Sequence, residues 1–72
     1  MNSKELLELG FIDTSYVEEK ENFTEFTLTT SKFEIQVSGI DKVEIKFLYI
    51  GWVDVPNCKT IEDIKHLIRL FE

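Results

Sequence analysis

The sequence predicts a two-layer α+β domain: a short N-terminal helix, an antiparallel three- to four-stranded meander, and a C-terminal helix packed on one face of the sheet. Three observations carry that reading. Apolar residues alternate with polar or charged ones over residues 32–37 and 42–49, the period-two signature of half-buried strands. The connections between these runs are only a few residues long, which suits hairpins and hence antiparallel neighbours. Ile61, Ile64, Leu67, Ile68 and Phe71 recur at helical spacing, so one stripe of a helix is apolar.

The first element is a short helix. Asn2 stands where an N-cap belongs, with Glu5 three positions later as in a capping box. Leu6, Leu7 and Leu9 give an apolar stripe. Gly10 falls at the position after the helix that favours positive φ, and Phe11 follows, able to fold back on Leu6 in a Schellman motif. A helix this short needs something to dock on. Patterning is weak over residues 13–22: Asp13-Thr14-Ser15 reads as a turn, Tyr16-Val17 as the start of an edge strand, and Glu18-Glu19-Lys20-Glu21-Asn22 as a solvated loop tip or hairpin turn.

Three strands are then expected. In residues 23–30, Phe26 and Leu28 share a face with Thr24 and Thr30. In residues 32–37, Phe33, Ile35 and Val37 oppose Lys32, Glu34 and Gln36. In residues 42–49, Val43, Ile45, Phe47 and Tyr49 oppose Lys42, Glu44, Lys46 and Leu48. Thr30-Ser31-Lys32 and Ser38-Gly39-Ile40-Asp41 connect them. Ile50-Gly51 turns the chain into a fourth short strand over residues 52–55, which Pro56 ends because it has no N–H to donate. Thr60 then caps the last helix, with Asp63 at the capping-box position, Glu62 near the positive end of the dipole and Arg69 near the negative end. Lys65, His66 and Arg69 lie outside the apolar stripe or at its margin.

Length and composition bound the rest. Seventy-two residues make one domain, 1–72, at roughly 150 residues per domain. A core this small seldom contributes more than a few kcal/mol, and natural chains of this size often carry a staple. One cysteine makes no internal disulfide, and one histidine with one cysteine makes no four-ligand zinc site. Bulk compensates, since the apolar set is Ile, Leu, Val and aromatic with no alanine. A homodimer is the other remedy and stays open. No apolar run approaches the roughly 18 residues of a membrane span. The N-terminus lacks the basic and apolar regions of a signal peptide, so a cytoplasmic protein with no membrane partner is expected.

Eight basic against fourteen acidic residues give a net charge of −6, which argues against direct binding of nucleic acid. The acidity is uneven: residues 1–25 hold two lysines against seven acids. Catalytic signals are weak. Cys58 precedes a helix and adjoins Lys59, a setting that can lower a thiol pKa. Its only candidate base, His66, lies two helical turns away, so Cys58 reads as a half-buried loop cysteine. His66 is placed to pair with Glu62 on the helix surface. Gly10, Gly39 and Gly51 are isolated and form no phosphate loop. Asn22-Phe23-Thr24 matches a glycosylation sequon, which without a secretion signal is chance. Phe23, Phe26 and Phe33 alternate mostly with Thr and Glu, as core residues do, rather than with the basic residues of a nucleic-acid platform. No enzymatic activity and no cofactor are expected.

The informative residues are apolar ones on the polar side. Leu48 falls on the charged face of its strand, and Ile50 and Trp52 follow. Either Leu48, Ile50 and Trp52 form an exposed patch with Asp54 beside them, or a long loop or the Tyr16-to-Glu21 segment folds over them. Together with Glu18, Glu19, Glu21 and Glu25 they make the expected partner-binding set.

Lys4-Glu5-Leu6-Leu7-Glu8-Leu9-Gly10-Phe11 resembles the opening of many small phage and mobile-element proteins. In these an LxxLGF helix precedes a β-meander and a terminal helix like Ile61-Glu62-Asp63-Ile64-Lys65-His66-Leu67-Ile68. The resemblance spans the architecture, and its motif is structural, so no catalytic residue is carried over. It implies a stoichiometric, anti-CRISPR-like inhibitor of a host defence protein, and the net charge of −6, the acidic stretch over Glu18–Glu25 and the Leu48, Ile50 and Trp52 patch point to a basic, nucleic-acid-binding protein as its partner. Two alternatives stand beside it. One is an oligomeric sponge for a nucleotide signal, which would need Lys32, Lys42 and Lys46 to cluster across a subunit interface. The other is an accessory subunit of a phage assembly.

Overall fold

A computed structural model describes residues 1–39 and 42–72. Along the chain run α1 (Ser3–Glu8), β1 (Ile12–Asp13), β2 (Tyr16–Glu18), β3 (Glu21–Phe23), β4 (Glu25–Thr29), β5 (Phe33–Ser38), β6 (Lys42–Phe47), β7 (Ile50–Asp54) and α2 (Ile61–Phe71). The fold is α+β, as the alternation and the two helical stripes predict. The sheet is larger than expected: five antiparallel strands in the order β1-β4-β5-β6-β7, with β2 and β3 forming a separate two-stranded ribbon.

Local chemistry sets each boundary. At α1 the Glu5 N–H donates to Asn2 Oδ1 at 2.9 Å and the Asn2 N–H to Glu5 Oε1 at 3.4 Å, completing the capping box. The helix ends in a full Schellman motif. Phe11 N–H donates to Leu6 C=O and Gly10 N–H to Leu7 C=O, with Gly10 at φ 102°, a conformation a side chain would strain. Phe11 is thereby driven into the core beside Leu6. Asp13-Thr14-Ser15 does turn, through the Ser15 N–H to Asp13 Oδ1 bond of 2.9 Å. Ile12 and Asp13 just before it pair with Thr27 and Phe26 and add an edge strand.

The run expected as one strand over residues 23–30 is two. Phe23 ends β3, which pairs with β2, and Glu25 begins β4. In the β4–β5 turn, Thr30 Oγ1 accepts from Phe33 N–H at 3.1 Å and from Lys32 N–H at 3.2 Å. Ile40 and Asp41, part of the expected β5–β6 connection, lie outside the described residues. β6 ends at Phe47 rather than Tyr49. Leu48 and Tyr49 form the tip of the next hairpin, so Tyr49 stands in solvent at 94 % exposure instead of on the apolar face.

The core lies on one side of the sheet. Phe26 (β4), Phe33, Ile35 and Val37 (β5) and Val43 and Ile45 (β6) meet Leu6, Phe11, Cys58, Ile64 and Leu67 from the helical layer. Ile35 and Ile64 are fully buried. Phe71 closes one end, its ring edge-on to Phe47 at 4.9 Å and Phe33 at 6.5 Å. Thr60 and Asp63 form the second capping box, and Asp63 Oδ2 also accepts from the Lys59 N–H. Glu62 pairs with Lys65 at 3.2 Å rather than with His66, whose charge acts instead on Asp63.

Candidate functional site: an acidic ribbon and an open sheet edge

The residues expected to form one partner surface occupy separate places. Glu18, Glu19 and Glu21 sit at the tip of the β2–β3 ribbon. Glu25 begins β4, where its carboxylate accepts a 2.8 Å hydrogen bond from the Thr14 hydroxyl, so it belongs to the sheet rather than to the tip. Leu48 is at the β6–β7 tip, and Ile50, Trp52 and Asp54 lie on β7. In the strand order β1-β4-β5-β6-β7, Glu25 on β4 lies three strand spacings of about 4.8 Å, roughly 14 Å, from β7. Leu48 is 76 % exposed, so the ribbon does not cover it.

The ribbon is built from Tyr16↔Phe23, Val17↔Asn22 and Glu18↔Glu21 pairs. Tyr16 and Phe23 stack at 5.1 Å with their planes 16° apart, a cross-strand aromatic pair that holds the base of the ribbon. The tip bears several local penalties. Glu19 and Lys20 both adopt positive φ, 51° and 68°, the backbone of a type I′ turn that Asn-Gly normally supplies. Glu18 and Glu21 face each other as like charges. Three carboxylates thus crowd a four-residue tip beside the exposed apolar surface of Tyr16 and Val17. Tyr16, Val17 and Phe23 were not among the expected partner residues, because Tyr16-Val17 read only as the start of an edge strand and Phe23 as part of the strand over residues 23–30.

On β7 a bulge separates the expected patch. The register runs Lys46↔Trp52 and then Phe47↔Ile50, so Ile50 and Gly51 together oppose one residue. Ile50 is in register with Phe47 on the helix side of the sheet, and Trp52 with Lys46 on the open side. The Lys46 ammonium lies 5.9 Å from the Trp52 ring centroid, a cation–π contact. Asp54 faces Glu44, which Lys42 reaches at 3.9 Å. Val53 is in register with Ile45 on the helix side yet remains 44 % exposed, because the helices cover the middle of the sheet and not this edge.

The remaining candidates fall away from any common site. Cys58 is buried in the core, and burial, with Asp63 nearby, pushes its thiol above the ordinary value, while Lys59 opposes this. A raised pKa is the reverse of what a nucleophile needs. Lys32 and Lys46 line a shallow trough with Glu34, whereas Lys42 borders a different one with Asp54 and Pro56. Within one protomer the three lysines do not converge. Among the described residues no three His, Cys, Asp or Glu side chains are grouped to hold a metal ion, and no helix is long and apolar enough to cross a membrane. Compared with family models, curated proteins and solved structures, the chain matches none.

Proposed function

We propose that this protein is a non-enzymatic binding protein that docks its acidic β2–β3 ribbon on a basic, nucleic-acid-handling protein, in the manner of a stoichiometric phage-encoded defence inhibitor. One observation carries the reading: the ribbon tip keeps like charges opposed and two side-chain-bearing residues in the left-handed region. Local rules broken together at one exposed place mark a surface kept for function rather than for stability. The ribbon also combines the two kinds of contact a partner needs. Glu18, Glu19 and Glu21 would speed encounter with a cationic surface, and Tyr16, Val17 and Phe23 would supply apolar contact once docked.

The test is binding to purified basic nucleases and other nucleic-acid-binding effectors at low and high salt. Affinity should fall with salt and be lost in the combined Glu18→Lys, Glu19→Lys, Glu21→Lys protein, while Trp52→Ala, at the far edge of the sheet, keeps it. Binding that survives charge reversal would place the docking surface elsewhere.

A further inference from the structure

The β7 edge has a geometry that fits a second copy of itself. The hydrogen bond from Val55 N–H to Val43 C=O, 2.9 Å, fixes the phase of the β6–β7 ladder. Around the Glu44↔Asp54 pair, Val53 and Val55 direct their backbone groups toward β6, and Trp52 and Asp54 direct theirs outward. All five β7 residues are exposed, and none is the Lys or Pro that blunts an edge, although the Gly51 bulge twists its beginning.

We infer that two copies pair antiparallel through β7 about a twofold axis at Val53, joining their sheets into one of ten strands. In that register Trp52 and Asp54 of each copy exchange both backbone hydrogen bonds with Asp54 and Trp52 of the other. Val53 meets Val53 of the second copy on the helix side, in a pair with no hydrogen bonds of its own, as its inward-directed backbone requires. Charge agrees with the register. On the open face one row reads Lys46, Trp52, then Asp54 and Glu44 of the second copy, so each lysine looks across a tryptophan toward two carboxylates. The same row gives Asp54, which faces Glu44 within its own protomer, a cation across the axis. On the helix side, Gly51, with open space where a Cβ would stand, lies opposite Val55 of the second copy. Neighbouring registers are worse. An axis at Asp54 opposes two carboxylates and sets Trp52 against Pro56, which has no N–H. An axis at Trp52 sets Asp54 against Ile50 in the bulge. The two β1 strands then stand at the outer ends of the joined sheet, about nine strand spacings or roughly 43 Å apart, and the β2–β3 ribbon, which follows β1 in the chain, takes no part in the pairing, so the proposed docking surface is left free.

Sedimentation velocity across a micromolar-to-millimolar series reads the mass, and residue-resolved amide exchange on the same samples reads the register. The expected result is a species of twice the 8.5 kDa protomer. Protection of the Trp52 and Asp54 amides should rise with concentration while that of Val53 and Val55 stays constant. Val53→Lys places like charges across the axis and should give a monomer, and Asp54→Lys should raise the dissociation constant about ten-fold. Val53→Cys should cross-link to itself under mild oxidation. A monomer throughout the series, a dimer unchanged by Val53→Lys, or concentration-dependent protection away from β7 overturns the inference. If Val53→Lys fails to fold, the exchange pattern of the unaltered chain decides. None of these outcomes touches the salt-dependent binding through the ribbon, so the two proposals fail separately.

Discussion

The two margins of the sheet are finished in opposite ways. At β1 the edge is two residues long, and the chain beyond it is tied down at once by Thr14 N–H to Glu25 C=O, 2.8 Å, and Glu25 N–H to Ser15 Oγ, 3.0 Å. Phe11 anchors this margin from beneath. At β7 five exposed residues run free, with Val53 half covered and no helix alongside. A short, side-chain-capped edge resists pairing, whereas a longer apolar one invites it. One margin is closed by local hydrogen bonding and carries a charged ribbon; the other is left open and carries the valine and tryptophan.

The contrast can be broken most severely at the anchor. Phe11→Ala removes a buried ring at the β1 margin and should lower unfolding free energy by about 3–5 kcal/mol, as read from urea denaturation. Val53→Ala on the opposite margin should change it by only about 0.5 kcal/mol at protein concentrations low enough to keep protomers apart. Equal effects would mean that β7 is not an outer strand. Lys20→Gly relieves the left-handed strain at the ribbon tip and should raise stability by up to about 1 kcal/mol. Glu21→Lys replaces the opposed carboxylates with an ion pair and should add roughly 0.5 kcal/mol, while weakening the proposed partner binding. A stabilised ribbon that bound more tightly would sever strain from function.

The smallest effect is pH dependence. Hydrogen bonding to Ser15 holds the Asp13 carboxyl below its ordinary value of 3.8, and the Lys59 and Thr60 amides do the same for Asp63. A carboxyl depressed on folding stabilises the native state above its unfolded pKa, and that contribution disappears as pH falls through the lower folded value. Stability should therefore drop as pH falls below about 3.8. Asp13→Asn and Asp63→Asn should each flatten the decline, which thermal melts across an acid series would show.

Much of this architecture can be read from residues alone where one physical signal dominates. The Asn2 and Thr60 caps, the Gly10–Phe11 reversal, the alternation in β5 and β6 and the α2 stripe all appear in the structure as their sequence implies. The β2–β3 ribbon was legible only in part: residues 18–22 read equally as a loop tip or a hairpin turn, because three-residue strands show no periodicity and Glu19-Lys20 lacks the Asn or Gly of its turn type. Leu48, Ile50 and Trp52 read as one patch only under unbroken alternation. A single bulge, which leaves no compositional trace beyond one glycine, changes the side from which Ile50 emerges. The charges of the tip were legible in the sequence, but their division from β7 depended on strand order, which pattern alone does not disclose.

That extra residue in β7 has a consequence for how the molecule keeps company with others. Were the bulge absent, unbroken alternation through Ile50, Gly51 and Trp52 would bring the isoleucine round to the tryptophan's side, merging two modest oily spots into a single sticky one. The kink thus acts as a solubility device, and a chain shortened by that one glycine, with Ile50 and Trp52 still on opposite faces, should stay as soluble as the intact protein.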